Sequence, residues 1–124
     1  MTAGPQTGTL RRLRKRAQFL SAARGLRAGR TGFTLQSVEV AEPGAGIGLT
    51  VTKKTGNSPQ RNRIKRRLRA AARACGGDFK PQHDYVLVGR REALTLPFSK
   101  VVADLASAIA KVHAPKRDSG TPRP

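Results

Sequence analysis

The chain has 124 residues, with 25 Lys and Arg against 7 Asp and Glu, a formal net charge of +18. That length allows one small domain with one core, and the charge points to nucleic acid or an anionic membrane surface. One Cys excludes an intrachain disulfide, and Cys75 with His83 and His113 makes a poor zinc set. No apolar run reaches the ~18 residues a membrane span needs, and the N-terminus lacks the apolar stretch of a secretory signal. Its start is Arg-rich and acid-poor, as organellar transit peptides are, but that character continues far into the folded part.

Residues 1–9 and 114–124, short on periodicity and rich in Gly, Pro and Thr or in Pro and charge, read as disordered tails. Residues 10–113 read as one domain. A short helix is expected from Lys15 to Arg24, with Leu13, Ala17 and Leu20 on one stripe and Gly25 as its stop. Phe33 to Val40 reads as a strand, and the turn cluster Glu42-Pro43-Gly44-Ala45-Gly46 follows. Ile47 to Thr52 alternates strictly, and Gly48 leaves room for something to approach the sheet. These two runs could pair as a hairpin. After a basic loop, Asn57 or Ser58 is a fitting N-cap and Pro59 suits a first helical turn. Ile64, Leu68, Ala71, Ala72 and Cys75 then recur at helical spacing up to Gly76-Gly77. Tyr85-Val86-Leu87-Val88 has the continuous apolar character of a central strand. A final helix from Pro97 to Val112 would bury Phe98, Val101, Val102, Leu105, Ile109 and Val112. The order α-β-β-α-β-α predicts an α+β fold, an α/β sandwich with helices on at least one face of a mixed sheet.

The middle helix works against its own stability. No acidic residue lies between Glu42 and Asp78, and Arg61-Asn62-Arg63-Ile64-Lys65-Arg66-Arg67-Leu68-Arg69 falls in that gap. Arg61 and Arg63 meet the positive end of the helix dipole, at a cost of roughly 0.3–1 kcal/mol each. Arg61, Lys65, Arg69 and Arg73 form a like-charge ladder four residues apart, each pair costing roughly 0.2–0.5 kcal/mol. Repeated violation of a local rule without compensation marks a functional site, and the missing compensation is most simply a polyanion. A merely solvated face would interleave Glu or Asp. A helix-turn-helix needs a partner helix beside the reading helix, whereas this one is flanked by strands. A membrane-surface helix needs bulky apolar residues, but here Ile64 and Leu68 give way to Ala71 and Ala72.

Side chains for catalysis are missing from the pattern. The seven carboxylates fall mostly at element edges or in tails, and no nucleophile elbow, phosphate loop or metal-ligand cluster occurs. His83 and His113 flank elements and are expected to be exposed, without a chemical role. Cys75 reads as a small buried apolar residue. Tyr85 and Phe98 read as core, while Phe19 and Phe33 stand between core packing and stacking of unpaired bases. The residues describe a binder and not a stand-alone enzyme.

Gly48-Leu49-Thr50-Val51-Thr52-Lys53-Lys54-Thr55-Gly56-Asn57, followed by Arg61 to Arg69, resembles the bacterial ribonuclease P protein component. That family reads roughly G-L-x-V-x-K-K-x-G-x-A-x-x-R-N-R-x-K-R-x-x-R. Phe19 with Gly25, and Asp84 to Arg90, extend the similarity. The resemblance implies a mixed sheet of about four strands with helices over it. It also implies a left-handed βαβ crossover through the basic helix, where the general rule expects a right-handed one.

It further implies an endoribonuclease subunit that joins a catalytic RNA and assists removal of the 5′ leader from precursor tRNA. The RNA and its Mg2+ would carry the chemistry, with no catalytic residue, metal or cofactor on the protein. By the same resemblance Lys53, Lys54, Arg61, Asn62, Arg63, Lys65, Arg66 and Arg69 face RNA, and Phe19, Phe33 and Gln36 line a leader-binding cleft. Ala23 and Gln36 depart from bulkier residues common in relatives, so stacking would be thinner here. Ser58-Pro59 also departs from the usual loop. One protein with one RNA, in the cytoplasm and away from membranes, completes the expectation. The rival is a structural rRNA binder of the ribosomal type, which charge and size fit equally well. A DNA-binding regulator ranks below both.

Overall fold

A computed structural model describes residues 10–114. The tail assignments therefore lie outside the described residues, apart from Ala114. Eight elements follow one another: β1 Arg11–Arg12, α1 Arg16–Ala23, β2 Leu26–Gly29, β3 Phe33–Glu39, β4 Ala45–Thr50, α2 Ser58–Ala74, β5 His83–Gly89 and α3 Phe98–Val112. The strands form one sheet in the order β1-β4-β5-β3-β2. β4 runs parallel to both β1 and β5, while β3 runs antiparallel to β5 and β2. The α+β sandwich with a mixed sheet is as expected, with five strands in place of about four.

The additions are β1 and β2. Each is short and built partly of Arg and Gly, so neither carries a period-two apolar signal. The expected hairpin between β3 and β4 does not form, because β5 lies between them. The reason is apolar content on two faces. Tyr85, Val86 and Leu87 are 0, 2 and 0% exposed, which only the centre of a sheet covered on both sides provides.

The two faces follow from alternation. Tyr85 and Leu87, with Phe33 and Leu35 of β3, point to the side where α2 and α3 pack. Ile64, Leu68, Ala71 and Ala72 of α2 meet Val101, Leu105, Ala108 and Ile109 of α3 in that core. Val86 points the other way, to Leu13 and Ala22, with Phe19, Val38 and Val88 beside them. The end of α1 comes so close to β3 that a Cβ on Gly25 would collide with the Ser37 carbonyl, so glycine is required there.

Phe98 corrects an expectation. It is 42% exposed, because α3 meets the core only from Val101 onward. Both histidines are half-buried, where exposure was expected. They cluster with Tyr85, whose hydroxyl lies 2.6 Å from His113 Nε2.

The start of α2 is locally secured. Asn57 Oδ1 accepts from the Gln60 N–H at 3.0 Å, and Gln60 Oε1 accepts from the Asn57 N–H at 2.9 Å. This reciprocal cap contributes about 1 kcal/mol. It helps offset a first turn with no acidic residue.

Candidate nucleic-acid interface

Once Ile64, Leu68, Ala71 and Ala72 are committed to the core, the cations of α2 can occupy only its flanks and outer face. On one flank Lys65, Arg69 and Arg73 stand one turn apart and wall a cleft of about 700 Å³. Leu10, Arg12, Ile47 and Leu49 line it on the sheet face that carries α2, and Leu13, Gly48 and Phe19 of α1 line it from the other face. Four cations and one aromatic ring thus line the cleft, and no carboxylate does.

Among the described residues the cations of α2 are not paired with carboxylates. Among the described residues the salt bridges are Arg11–Asp84 and Lys100–Asp104, and neither involves α2. The electrostatic cost inferred from the ladder is therefore not repaid by the fold.

Two features fix the cleft's shape. A Cβ on Gly48 would lie 2.7 and 2.8 Å from atoms of the Phe19 ring, so the ring rests directly on the β4 backbone. The close approach that Gly48 permits is that of the chain's own phenylalanine. The N-terminal wall is clamped by Arg11, which donates to Pro43 O and Gly44 O at 3.0 Å each and to Asp84 Oδ1 at 2.9 Å. Asp84 is 2% exposed, and the Leu13 N–H donates to Ile47 O at 3.0 Å. Arg12 and Leu13 are thereby held over the cleft.

The residues expected to face RNA do not share one environment. Lys53 and Lys54 are exposed in the turn Lys53–Thr55. Asn62, Arg63, Arg66 and Arg69 are exposed and Lys65 is half-buried. Arg61 is turned back on its own helix start, donating to Gly56 O at 2.7 Å and Ser58 Oγ at 3.2 Å. Of the expected set, only Lys65 and Arg69 line the cleft; Arg12 and Arg73 line it as well and were not in that set. Arg73 was legible as the last rung of the ladder. Arg12 had no sequence signal, since a two-residue strand leaves no period.

The cleft aromatics separate. Phe19 lines the cleft. Phe33 is 1% exposed within the α2–α3 core, so its placement in a leader cleft is corrected. Gln36 is half-buried and sits across the sheet from Gly48, through the row Gln36–Val86–Gly48. Two strand spacings, roughly 10 Å, separate them on the face that carries Phe19. Phe33 and Gln36 are three residues apart in one strand, so their side chains point to opposite faces.

The fold and cleft define a basic α/β sandwich with a cation-lined cleft. A model of the Ribonuclease P family matches residues 8–113. The Ribonuclease P protein component of Ruegeria pomeroyi is 46% identical over 110 residues, covering 84% of this chain and 87% of the relative. That of Erythrobacter litoralis is 40% identical over 111 residues, covering 86% and 88%. The chain belongs to the ribonuclease P protein family. In fold it is similar to the RNase P protein from Thermotoga maritima, with a TM-score of 0.71 at 23% identity over 83% of this chain and 98% of that one. A Staphylococcus aureus RNase P protein mutant aligns with a TM-score of 0.68 at 23% identity, covering 82% and 86%.

Proposed function

We infer that this chain is the protein subunit of a bacterial ribonuclease P, the ribonucleoprotein endonuclease of tRNA 5′ processing, and that its cleft holds the single-stranded 5′ leader of precursor tRNA. The observation that carries this reading is one cleft lined by Arg12, Lys65, Arg69 and Arg73 and by the ring of Phe19. Single-stranded RNA needs both parts. Cations track its phosphates, and an aromatic face stacks an unpaired base, worth about 1–3 kcal/mol per base. A mature tRNA lacks the leader and makes neither contact, so the cleft discriminates between precursor and product.

The partner RNA supplies the reaction. In this reading the Mg2+ that serves the reaction is held by the RNA. The protein acts by position and charge. Each phosphate contact contributes about −0.7 to −0.9 to the slope of log affinity against log salt. Its cations also take over part of the ionic screening, lowering the magnesium the complex needs. One protein per RNA and a cytoplasmic place of action belong to the same reading. Family membership disfavours the structural rRNA binder.

The test is reconstitution. The full-length protein is added to a bacterial ribonuclease P RNA at low magnesium, and release of the 5′ leader is followed. Accurate cleavage should be stimulated, and much less so with Arg12→Ala, Lys65→Ala, Arg69→Ala and Arg73→Ala combined. Binding of the RNA without stimulation would sink the reading.

A further inference from the structure

The buried ion pair at the N-terminal edge of the sheet spans three strands. Arg11 of β1 is paired in register with Gly46 of β4, and Gly46 with Asp84 of β5. The Arg11 side chain therefore crosses β4 to reach Asp84 Oδ1 at 2.9 Å. Gly46 keeps that path open: a Cβ there would lie 2.5 Å from Asp84 Oδ1, 2.8 Å from Leu13 Cδ2 and 3.0 Å from Arg11 Nη1. On the way Arg11 also donates to Pro43 O and Gly44 O. Neither Arg11 nor Asp84 lines the cleft.

The pair and the cleft's cations lie on opposite faces of the sheet. Asp84 shares its face with Val86 by alternation along β5, and Val86 packs with Leu13 and Ala22. Arg12, one residue on from Arg11, points to the other face beside Ile47 and lines the cleft with Lys65, Arg69 and Arg73. Those four like charges repel one another, and among the described residues no ion pair holds Arg12. Its strand is only two residues long, so ladder bonds add little restraint. A buried ion pair is weak evidence of added stability and is better suited to fixing a register. The register fixed here is that of β1 on β4, and a slip of one residue would turn Arg12 away from the cleft.

We propose that Asp84 is a positioning residue for leader recognition: bonded to Arg11 through the gap at Gly46, it fixes β1 and so holds Arg12 in the cleft without touching RNA itself. The proposal rests on the leader-cleft reading above, and its sign is opposite to that of net charge. Removing a carboxylate makes the protein more positive, which by charge alone should tighten binding of every RNA. Loss of position should weaken binding of the precursor only.

The experiment titrates the holoenzyme with one precursor tRNA and its mature product. Asp84→Ala and Asp84→Asn are compared alone and together with Arg12→Ala, at a temperature where thermal melts show each variant folded. Asp84→Ala should lower the preference for precursor by the factor that Arg12→Ala gives, and should flatten the precursor's salt slope by about 0.7. Asp84→Asn keeps the shape and one acceptor oxygen but loses the charge that roughly doubles the strength of the bond. It should lose part of the preference, and it carries the test if Asp84→Ala does not fold. In the Arg12→Ala background neither change should lower the preference further, a coupling that a purely structural role would not produce. A folded variant with the wild-type preference would overturn the proposal, as would losses that add to that of Arg12→Ala or fall equally on mature tRNA. A wild-type holoenzyme with no preference for precursor would instead overturn the underlying reading.

Discussion

Gly48→Ala tests the seat of Phe19 in the cleft by adding one methyl group. The new Cβ would lie 2.7 Å from Phe19 Cε2, 2.8 Å from Cζ and 3.2 Å from Leu13 Cβ. Carbon atoms in good contact stand about 3.5–4.0 Å apart, so the ring must retreat by roughly 1 Å. Overpacking of this kind costs about 1–3 kcal/mol. Phe19 is half-buried and borders open cleft, so it yields outward and the cost falls at the low end. About 1 kcal/mol corresponds to a fall in Tm of about 4–8 °C for a domain of this size. The displaced ring no longer offers its face to a base at the same place. Precursor affinity of the holoenzyme should fall about 5- to 30-fold, the equivalent of 1–2 kcal/mol of stacking, and mature tRNA affinity should hold. Thermal melts and tRNA titrations read both quantities. If Tm falls while precursor affinity holds, Phe19 is a core residue and not a leader contact. If neither changes, the ring does not rest on β4.

Three further outcomes follow from the buried polar groups. Asp84→Ala should destabilise by about 2–4 kcal/mol, since it leaves a partly buried Arg11 without its carboxylate; a chemical denaturation midpoint equal to wild type would contradict that. His113 has its pKa lowered from 6.5, first by burial and then by His83 and Lys80. The Lys80 N–H donates to Tyr85 Oη, which leaves the phenol proton for His113 Nε2 and fits a neutral imidazole. As pH falls below 6.5 the unfolded chain takes the proton first, so stability should drop and then level off below the lowered pKa. A His113→Gln variant should remove much of that drop. Tyr85, the one tyrosine in the chain, has its pKa raised to about 12 by burial. Its ultraviolet titration should run late, and stability should fall between pH 10 and about 12, where the unfolded phenol ionises first. A midpoint near 10 would show the hydroxyl open to solvent.

Much of this architecture was legible because each signal was local. The apolar stripe of α2, its Asn57 cap and the continuous apolar run of β5 each need only neighbours in sequence. What failed was long-range. β3 and β4 are adjacent in the chain with a turn between them, yet β5 inserts between them because it alone demands burial on both faces. The cleft was half legible. The ladder of like charges pointed to the flank that lines it, but Arg12 arrives through a pairing with β4 that no periodicity announces. Phe33 could have been assigned correctly from parity alone, since it shares a face with the core residue Leu35 and not with Gln36. The resemblance marks Arg61 as an RNA contact, and in the structure its guanidinium also donates to Gly56 and Ser58, which the sequence does not announce. Charge in sequence does not reveal which guanidinium groups hold loops and which face outward.

The central claim is that the cleft reads the leader and that discrimination comes from there. The most direct measurement is the ratio of holoenzyme affinities for one precursor tRNA and its mature product, with wild-type protein and with Lys65→Ala, Arg69→Ala and Arg73→Ala combined. Wild type should prefer the precursor, and the preference should shrink toward unity in the variant while affinity for mature tRNA stays the same. A preference that survives the loss of all three cations would place leader recognition elsewhere.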